Sequence, residues 1–216
     1  NSLAAYLECR QDCHLADSWV GVGLYDAFED FWIREIPATI SMQLNAQGQP
    51  RVAFLGDDGN SDPMLIYMQC ETAVCTADDS WTGAVLLDSS GPDIGAGVHL
   101  QTDAAGGLYV AATVGSGIVY WYCPPGTDCA QGDTWRLSIV ETSDDIEPDD
   151  IFLYTNCVIG AWFLREPQLG LLPDGRIATV YTARDYSFGG ASSDPNRPAC
   201  PVGLDMSLGR LTIQAR

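Results

Sequence analysis

Two arginine–glutamate pairs are among the residues of this chain suited to hold a ligand. Arg34-Glu35 lies in Trp32-Ile33-Arg34-Glu35-Ile36-Pro37, and Arg165-Glu166 lies in Trp162-Phe163-Leu164-Arg165-Glu166-Pro167. A guanidinium fork matches a carboxylate, and an indole face offers a stacking surface. Placed on one rim, the two pairs with Trp32 and Trp162 would hold an anionic or glycan ligand. The competing reading makes each pair a local salt bridge at the start of a strand and each tryptophan a core residue. The middle of the chain carries Gly91-Pro92-Asp93 at the corresponding place.

A hard cation is the second chemical candidate. Asp57, Asp58, Asn60 and Asp62 crowd oxygen ligands into one turn, and Asp144 to Asp150 forms a further carboxylate cluster. Clustered carboxylates relieve their repulsion by binding a cation such as calcium, which wants about six to eight oxygens. Neither segment has the spacing of an EF-hand loop, and solvated acidic turns are the alternative. Nucleophilic catalysis finds little support. The chain has two histidines, His14 and His99, and no Gly-x-Ser-x-Gly. Two carboxylates fit for glycoside hydrolysis cannot be singled out from 29 acidic residues without distances.

The 216 residues carry a net charge of −19, with ten arginines and no lysine. Such a surface repels nucleic acid and anionic membranes. No apolar run is long enough for a membrane helix, so membrane insertion is not expected. The first residue is Asn1 rather than Met, which reads as a processed form.

The elements that must position these residues announce themselves by repetition. Tyr-x-x-Cys, a second cysteine and Asp-[Ser/Thr]-Trp recur three times. The copies are Tyr6, Cys9, Cys13, Asp17-Ser18-Trp19; Tyr67, Cys70, Cys75, Asp79-Ser80-Trp81; and Tyr120, Cys123, Cys129, Asp133-Thr134-Trp135. The distance between the cysteines drifts while the second cysteine stays at a fixed distance from the Asp. Local pairing gives Cys9–Cys13, Cys70–Cys75 and Cys123–Cys129, and leaves Cys157 for Cys200. Zinc knuckles want matched pairs or histidines, so disulfides in an oxidising compartment are the better reading. Each short staple is expected to contribute about 2 kcal/mol.

Between these runs lie alternating apolar segments broken by glycine turns: Leu44 to Phe54, Leu100 to Ala111 and Leu171 to Tyr181. Each reads as a β-hairpin. A unit then has a Trp strand, a hairpin and a Tyr-x-x-Cys strand. Four antiparallel strands in 50 to 60 residues is the pattern of a propeller blade. The expectation is a single all-β propeller-type domain over residues 1–216. Its units are a partial one at 3–13, complete ones at 19–75 and 81–129, and an irregular one at 135–216. That makes three to four blades with stapled inter-blade loops. Leu3 to Cys9 is then an orphan strand, completed by ring closure with the terminal strand Gly209 to Ala215 or by another chain. The three repeated tryptophans are expected to pack between blades.

Asp-[Ser/Thr]-Trp at a strand start resembles the Asp-box of the sialidase-like propellers, although the Asp-box glycine is missing and the Asp-to-Trp spacing is shorter. The whole repeat, over about residues 3 to 183, is similar to secreted bacterial propeller repeats. That resemblance implies an extracellular or periplasmic location and no particular activity. The functional expectation is a secreted, non-enzymatic binding or structural module, a subunit of an extracellular assembly completed by another chain or by self-association. The alternative is a sialidase-like glycan-processing hydrolase.

Overall fold

The computed structural model describes residues 5–24, 32–33, 40–57, 63–88, 90–92, 94–146, 162–186 and 205–214. Among them are fourteen β-strands, four single-turn 3-10 segments and no α-helix. The strands form four antiparallel sheets. The first pairs β1 (Ala5–Cys9) with β2 (Trp19–Gly23). In the second, β3 (Trp32–Ile33) and β4 (Ile40–Leu44) both lie on β5 (Pro50–Asp57), followed by β6 (Pro63–Cys70) and β7 (Trp81–Leu87). The third runs in chain order through β8 (Ile94–Thr102), β9 (Leu108–Val114), β10 (Gly117–Cys123) and β11 (Arg136–Thr142). The fourth holds β12 (Trp162–Leu171), β13 (Ile177–Tyr186) and β14 (Asp205–Gln214).

The three expected hairpins form with one turn geometry. In each, a glycine at positive φ closes a tight loop: Gly48 (78°), Gly106 (90°) and Gly175 (84°). An L-residue with a Cβ is strained there, which is why the sequence keeps glycine. Asn45, Asp103 and Asp174 turn a side-chain oxygen back onto backbone N–H groups of their own loops.

The stapled loops are placed differently from the expectation. They do not join one sheet to the next. Cys9 pairs with Trp19, Cys70 with Trp81 and Tyr122 with Arg136, so each loop links two neighbouring strands of the same sheet. The unit boundaries therefore move by one strand: each Trp strand closes a sheet rather than opening one. The strand expected at Leu3 to Cys9 is described as β1 over Ala5–Cys9, and it has β2 beside it in a sheet of two strands among the described residues. It does not pair with the terminal strand, since β14 lies on β13 in another sheet. Among the described residues, four strands in simple order occur as β4-β5-β6-β7 in the second sheet and β8-β9-β10-β11 in the third.

Three disulfides, Cys9–Cys13, Cys70–Cys75 and Cys123–Cys129, connect as expected. Cys157 and Cys200 lie outside the described residues. The fixed spacing after the second cysteine has a cause. The indole N–H of Trp19, Trp81 and Trp135 donates to the carbonyl of Cys13, Cys75 and Cys129, at 3.0, 2.8 and 2.8 Å. That bond requires a constant reach from cysteine to tryptophan. A disulfide tolerates a longer or shorter loop between its own cysteines.

Consecutive sheets stack face to face. Val52, Phe54, Ile66 and Met68 of the second sheet pack with Val22, Leu24 and Tyr6 of the first. Its opposite face, with Ala53, Leu55, Leu65 and Tyr67, packs with Leu100, Val110 and Trp121 of the third. The far face of the third meets Leu164, Leu169, Ile177 and Tyr181 of the fourth. Burial on both faces explains why every residue of β6 is buried and why its sequence is apolar almost throughout. The first strands of successive sheets are neighbours, β4 beside β8 and β8 beside β12.

Candidate functional site

The first strand of each of the last three sheets departs from regular pairing at one place. In the second sheet the break falls between Ile33, opposite Gly56, and Ile40, opposite Phe54. In the third the register shifts between Ile94, opposite Val114, and Val98, opposite Ala112. In the fourth it shifts between Arg165, opposite Thr182, and Gln168, opposite Val180. Counted from the hairpin turn, the breaks of the second and third sheets fall at the same place, and that of the fourth falls one pair nearer the turn. A bulge re-aims side chains and is a common seat for function. Arg165-Glu166 sits in the bulge of the fourth sheet, and Arg34-Glu35 lies outside the described residues.

The described pair has clear surroundings. Glu166 takes a left-handed backbone conformation (φ 55°) and its side chain is exposed. Gly97 (φ 102°) presses against it so closely that a Cβ on Gly97 would fall 2.5 Å from the Glu166 Cα. The bulges of the third and fourth sheets are thus in contact, and glycine is required where they meet. The Arg165 guanidinium stands 6.0 Å from the centre of the Phe163 ring, and the Thr182 hydroxyl donates to the Arg165 carbonyl. The backbones of Trp32 and Trp162 lie opposite Asp57 and Asp185, at the far ends of their hairpins. Of the expected calcium ligands, Asp57 ends β5, and Asp58, Asn60 and Asp62 lie outside the described residues. Among the described residues no group of three or more His, Cys, Asp or Glu side chains is arranged to hold a metal ion.

Two other polar arrangements cross between sheets. Ser41 Oγ accepts the N–H of Leu100 at 3.0 Å, and His99 Nδ1 accepts the N–H of Leu169 at 2.9 Å. Ser41 and His99 hold one structural position, opposite Ala53 and Ala111, and Gln168 holds it in the fourth sheet, opposite Val180. Acceptance by Nδ1 demands the neutral ring, and burial pulls the imidazole below its ordinary value. The signal was present in the sequence. Each of these residues stands nine positions before the first residue of the second hairpin strand, Pro50, Leu108 or Ile177.

The second arrangement joins β11 of the third sheet to β13 and β14 of the fourth. Arg210 grips Glu141 with two bonds, Nη2 to Oε1 at 2.5 Å and Nε to Oε2 at 2.8 Å. The Tyr181 hydroxyl donates to Glu141 and also meets the Thr212 hydroxyl at 3.0 Å. No motif in the sequence marks this cluster, because Tyr181 and Arg210 stand 40 and 69 residues from Glu141 along the chain.

The repeated aromatics form a clasp. Tyr6 meets Trp81 edge to face at 5.4 Å, and Tyr67 meets Trp135 in the same way at 5.0 Å. The tyrosine of one sheet thus docks on the tryptophan of the next, as expected for inter-sheet packing. Trp19 has no such tyrosine among the described residues and is 46% exposed, against 5% for Trp81. Two clefts lie at the ends of the strands. One of about 550 Å³ opens between the stapled loops of the first two sheets, lined by Glu8, Arg10, Asp12, Val20 and Val74. The other, about 530 Å³, lies between the hairpin turns of the third and fourth sheets.

The fold class is therefore all-β: antiparallel sheets stacked in chain order, three of them stapled by a disulfide. No protein-family model matches the sequence, and no curated protein matches it.

Proposed function

We propose that this chain is a secreted, propeller-type structural or binding module that works as part of an extracellular assembly. The observation that carries the reading is the recurring seam. Tyrosine on tryptophan repeats from sheet to sheet, and the first strands lie side by side, which is how propeller blades surround an axis. Among the described residues nothing fills the seam at the outward faces of the first and fourth sheets, where Leu7, Trp19, Val180, Leu211 and Ile213 are exposed. Apolar faces of that kind are covered in a working assembly. The three disulfides fit an oxidising compartment.

The alternative, a sialidase-like glycan hydrolase, needs an open pocket where arginines and carboxylates converge. Glu141, Arg210 and Tyr181 do converge, but they lock one sheet to another, and Tyr181 is engaged with Thr212 as well. A glycan at the first-strand bulges, and calcium at Asp57, Asp58, Asn60 and Asp62, remain ligand proposals of the same module. The test is direct. The purified oxidised protein is assayed on sialosides and other glycosides, and its native mass is compared with the 23.3 kDa of one chain. The expected result is no turnover and a mass above that of a single chain. Turnover by a monomer would overturn the reading.

A further inference from the structure

The second and third sheets offer the same surface to the sheet before them, and only one of the two surfaces is covered. Met42 pairs with Val52 and Leu100 with Val110, which is one position in two copies of the hairpin. Leu100 is fully buried beneath the second sheet, whereas Met42 is 50% exposed, with Ile40 and Leu44 exposed beside it. The cause lies in what the first sheet contains. Tyr6, Cys9 and Trp19 match Tyr67, Cys70 and Trp81, so β1 and β2 are the counterparts of β6 and β7. Among the described residues nothing matches the β4–β5 hairpin in that sheet. Among the described residues two uncovered features coincide there: the edge of β1 remote from β2, which has no paired strand, and the exposed apolar stripe of β4. A third feature adds specificity. Ser41 and His99 each accept an N–H from the first strand of the next sheet, at Leu100 and Leu169. Among the described residues no side chain does this at Met42, the equivalent position.

We propose that the first sheet is an acceptor site for a β-hairpin of a partner polypeptide, built like this chain's own β4–β5 hairpin. Its second strand pairs antiparallel with β1. Its first strand covers Ile40, Met42 and Leu44 and presents a hydroxyl or imidazole acceptor to the Met42 N–H. Backbone pairing at the edge supplies affinity, and the alternating apolar face supplies selectivity. The site continues an interface that the chain already makes between its second and third sheets, and the inference rests on the reading of the chain as an assembling module.

The probe is a backbone-cyclised peptide of residues 40–57, titrated into the whole oxidised chain, because an isolated hairpin is marginal in water. The expected result is saturable one-to-one binding, with amide exchange across Ala5 to Cys9 slowed about tenfold or more. Met42→Glu should weaken binding about tenfold or more by placing a charge on the stripe, and Leu44→Glu should do the same if the first variant is poorly folded. A peptide whose apolar pattern is moved by one residue should not bind. Saturating peptide that leaves Ala5 to Cys9 unprotected overturns the proposal, as does binding untouched by both variants. Protection of Ala5 to Cys9 by concentration of the chain alone, undisplaced by peptide, also overturns it and makes the occupant a second copy. None of these results bears on glycoside turnover, which is what would sink the module reading itself.

Discussion

The seam between the second and third sheets and the seam between the third and fourth join the same kind of strands by different chemistry. The earlier seam is aromatic and aliphatic. Tyr67 lies edge-on to Trp135 among Leu55, Leu65, Leu100 and Val110, and burial holds its phenol well above the ordinary range. The later seam lacks the tryptophan, because among the described residues the fourth sheet ends at β14, its third strand. It is held instead by Glu141, Arg210 and Tyr181 at one place and by His99 at another. The difference teaches that the docking geometry belongs to the backbone repeat, while the cohesion at each seam is chosen locally. An apolar seam depends little on salt or pH. A seam of charges and an imidazole depends on both.

The comparison is broken most severely at the aromatic clasp. Trp135→Ala should destabilise the chain by about 3–5 kcal/mol, since it empties a core position and removes the indole bond to Cys129. Denaturant unfolding followed by circular dichroism measures it. Next comes the polar lock. Glu141→Ala should cost about 2–4 kcal/mol by leaving Arg210 partly buried without its carboxylate, whereas replacing Glu141 and Arg210 together by Leu and Met should cost much less. A double-mutant cycle separates the two cases. Selective loss of the Cys123–Cys129 staple, as Cys123→Ala with Cys129→Ala, should cost about 2 kcal/mol, read from the shift of the melting temperature.

The smallest expected effect is the most diagnostic. Neutral His99 has a folded value below its ordinary 6.5, so the unfolded chain binds more protons and stability rises with pH. The contribution is complete above pH 6.5 and declines as pH falls below it toward the depressed folded value. Amide exchange at Leu169 should therefore quicken at pH 5 relative to pH 7.5, while exchange at Leu100, held by Ser41, should show no such excess. His99→Asn, which keeps an acceptor near Nδ1, should abolish the excess at a cost of about 1 kcal/mol or less. Equal pH responses at the two amides would remove the distinction drawn between the seams.

Much of this molecule was legible in residues close together in the chain. The hairpin turns were announced by Gly48, Gly106 and Gly175 with their preceding Asn or Asp, and the staples by the paired cysteines. The aromatic clasp was legible as a repeat without its partners being known. What misled was the grouping of strands. Tyr-x-x-Cys, loop and Trp form a local run with no mark to say whether its two strands belong to one sheet or two, and only the register of Cys70 on Trp81 decides it. Of the candidate site, Arg165-Glu166 was found from sequence, but its place in a bulge pressed on Gly97 was not. Position nine before the second hairpin strand carries no motif, because Ser41, His99 and Gln168 share no residue type.

The sequence by itself determined the elements: turns, staples, strand content and the fixed reach from cysteine to tryptophan. Each of these is set by backbone conformation and bonds within a few residues. Tertiary structure alone decided which strands share a sheet, which seam is aromatic and which is charged, and that Met42 is exposed where Leu100 is buried. Those outcomes depend on groups 40 to 70 residues apart meeting across sheets. Whether an apolar side chain meets a neighbour or water is a property of the stack rather than of the strand that carries it.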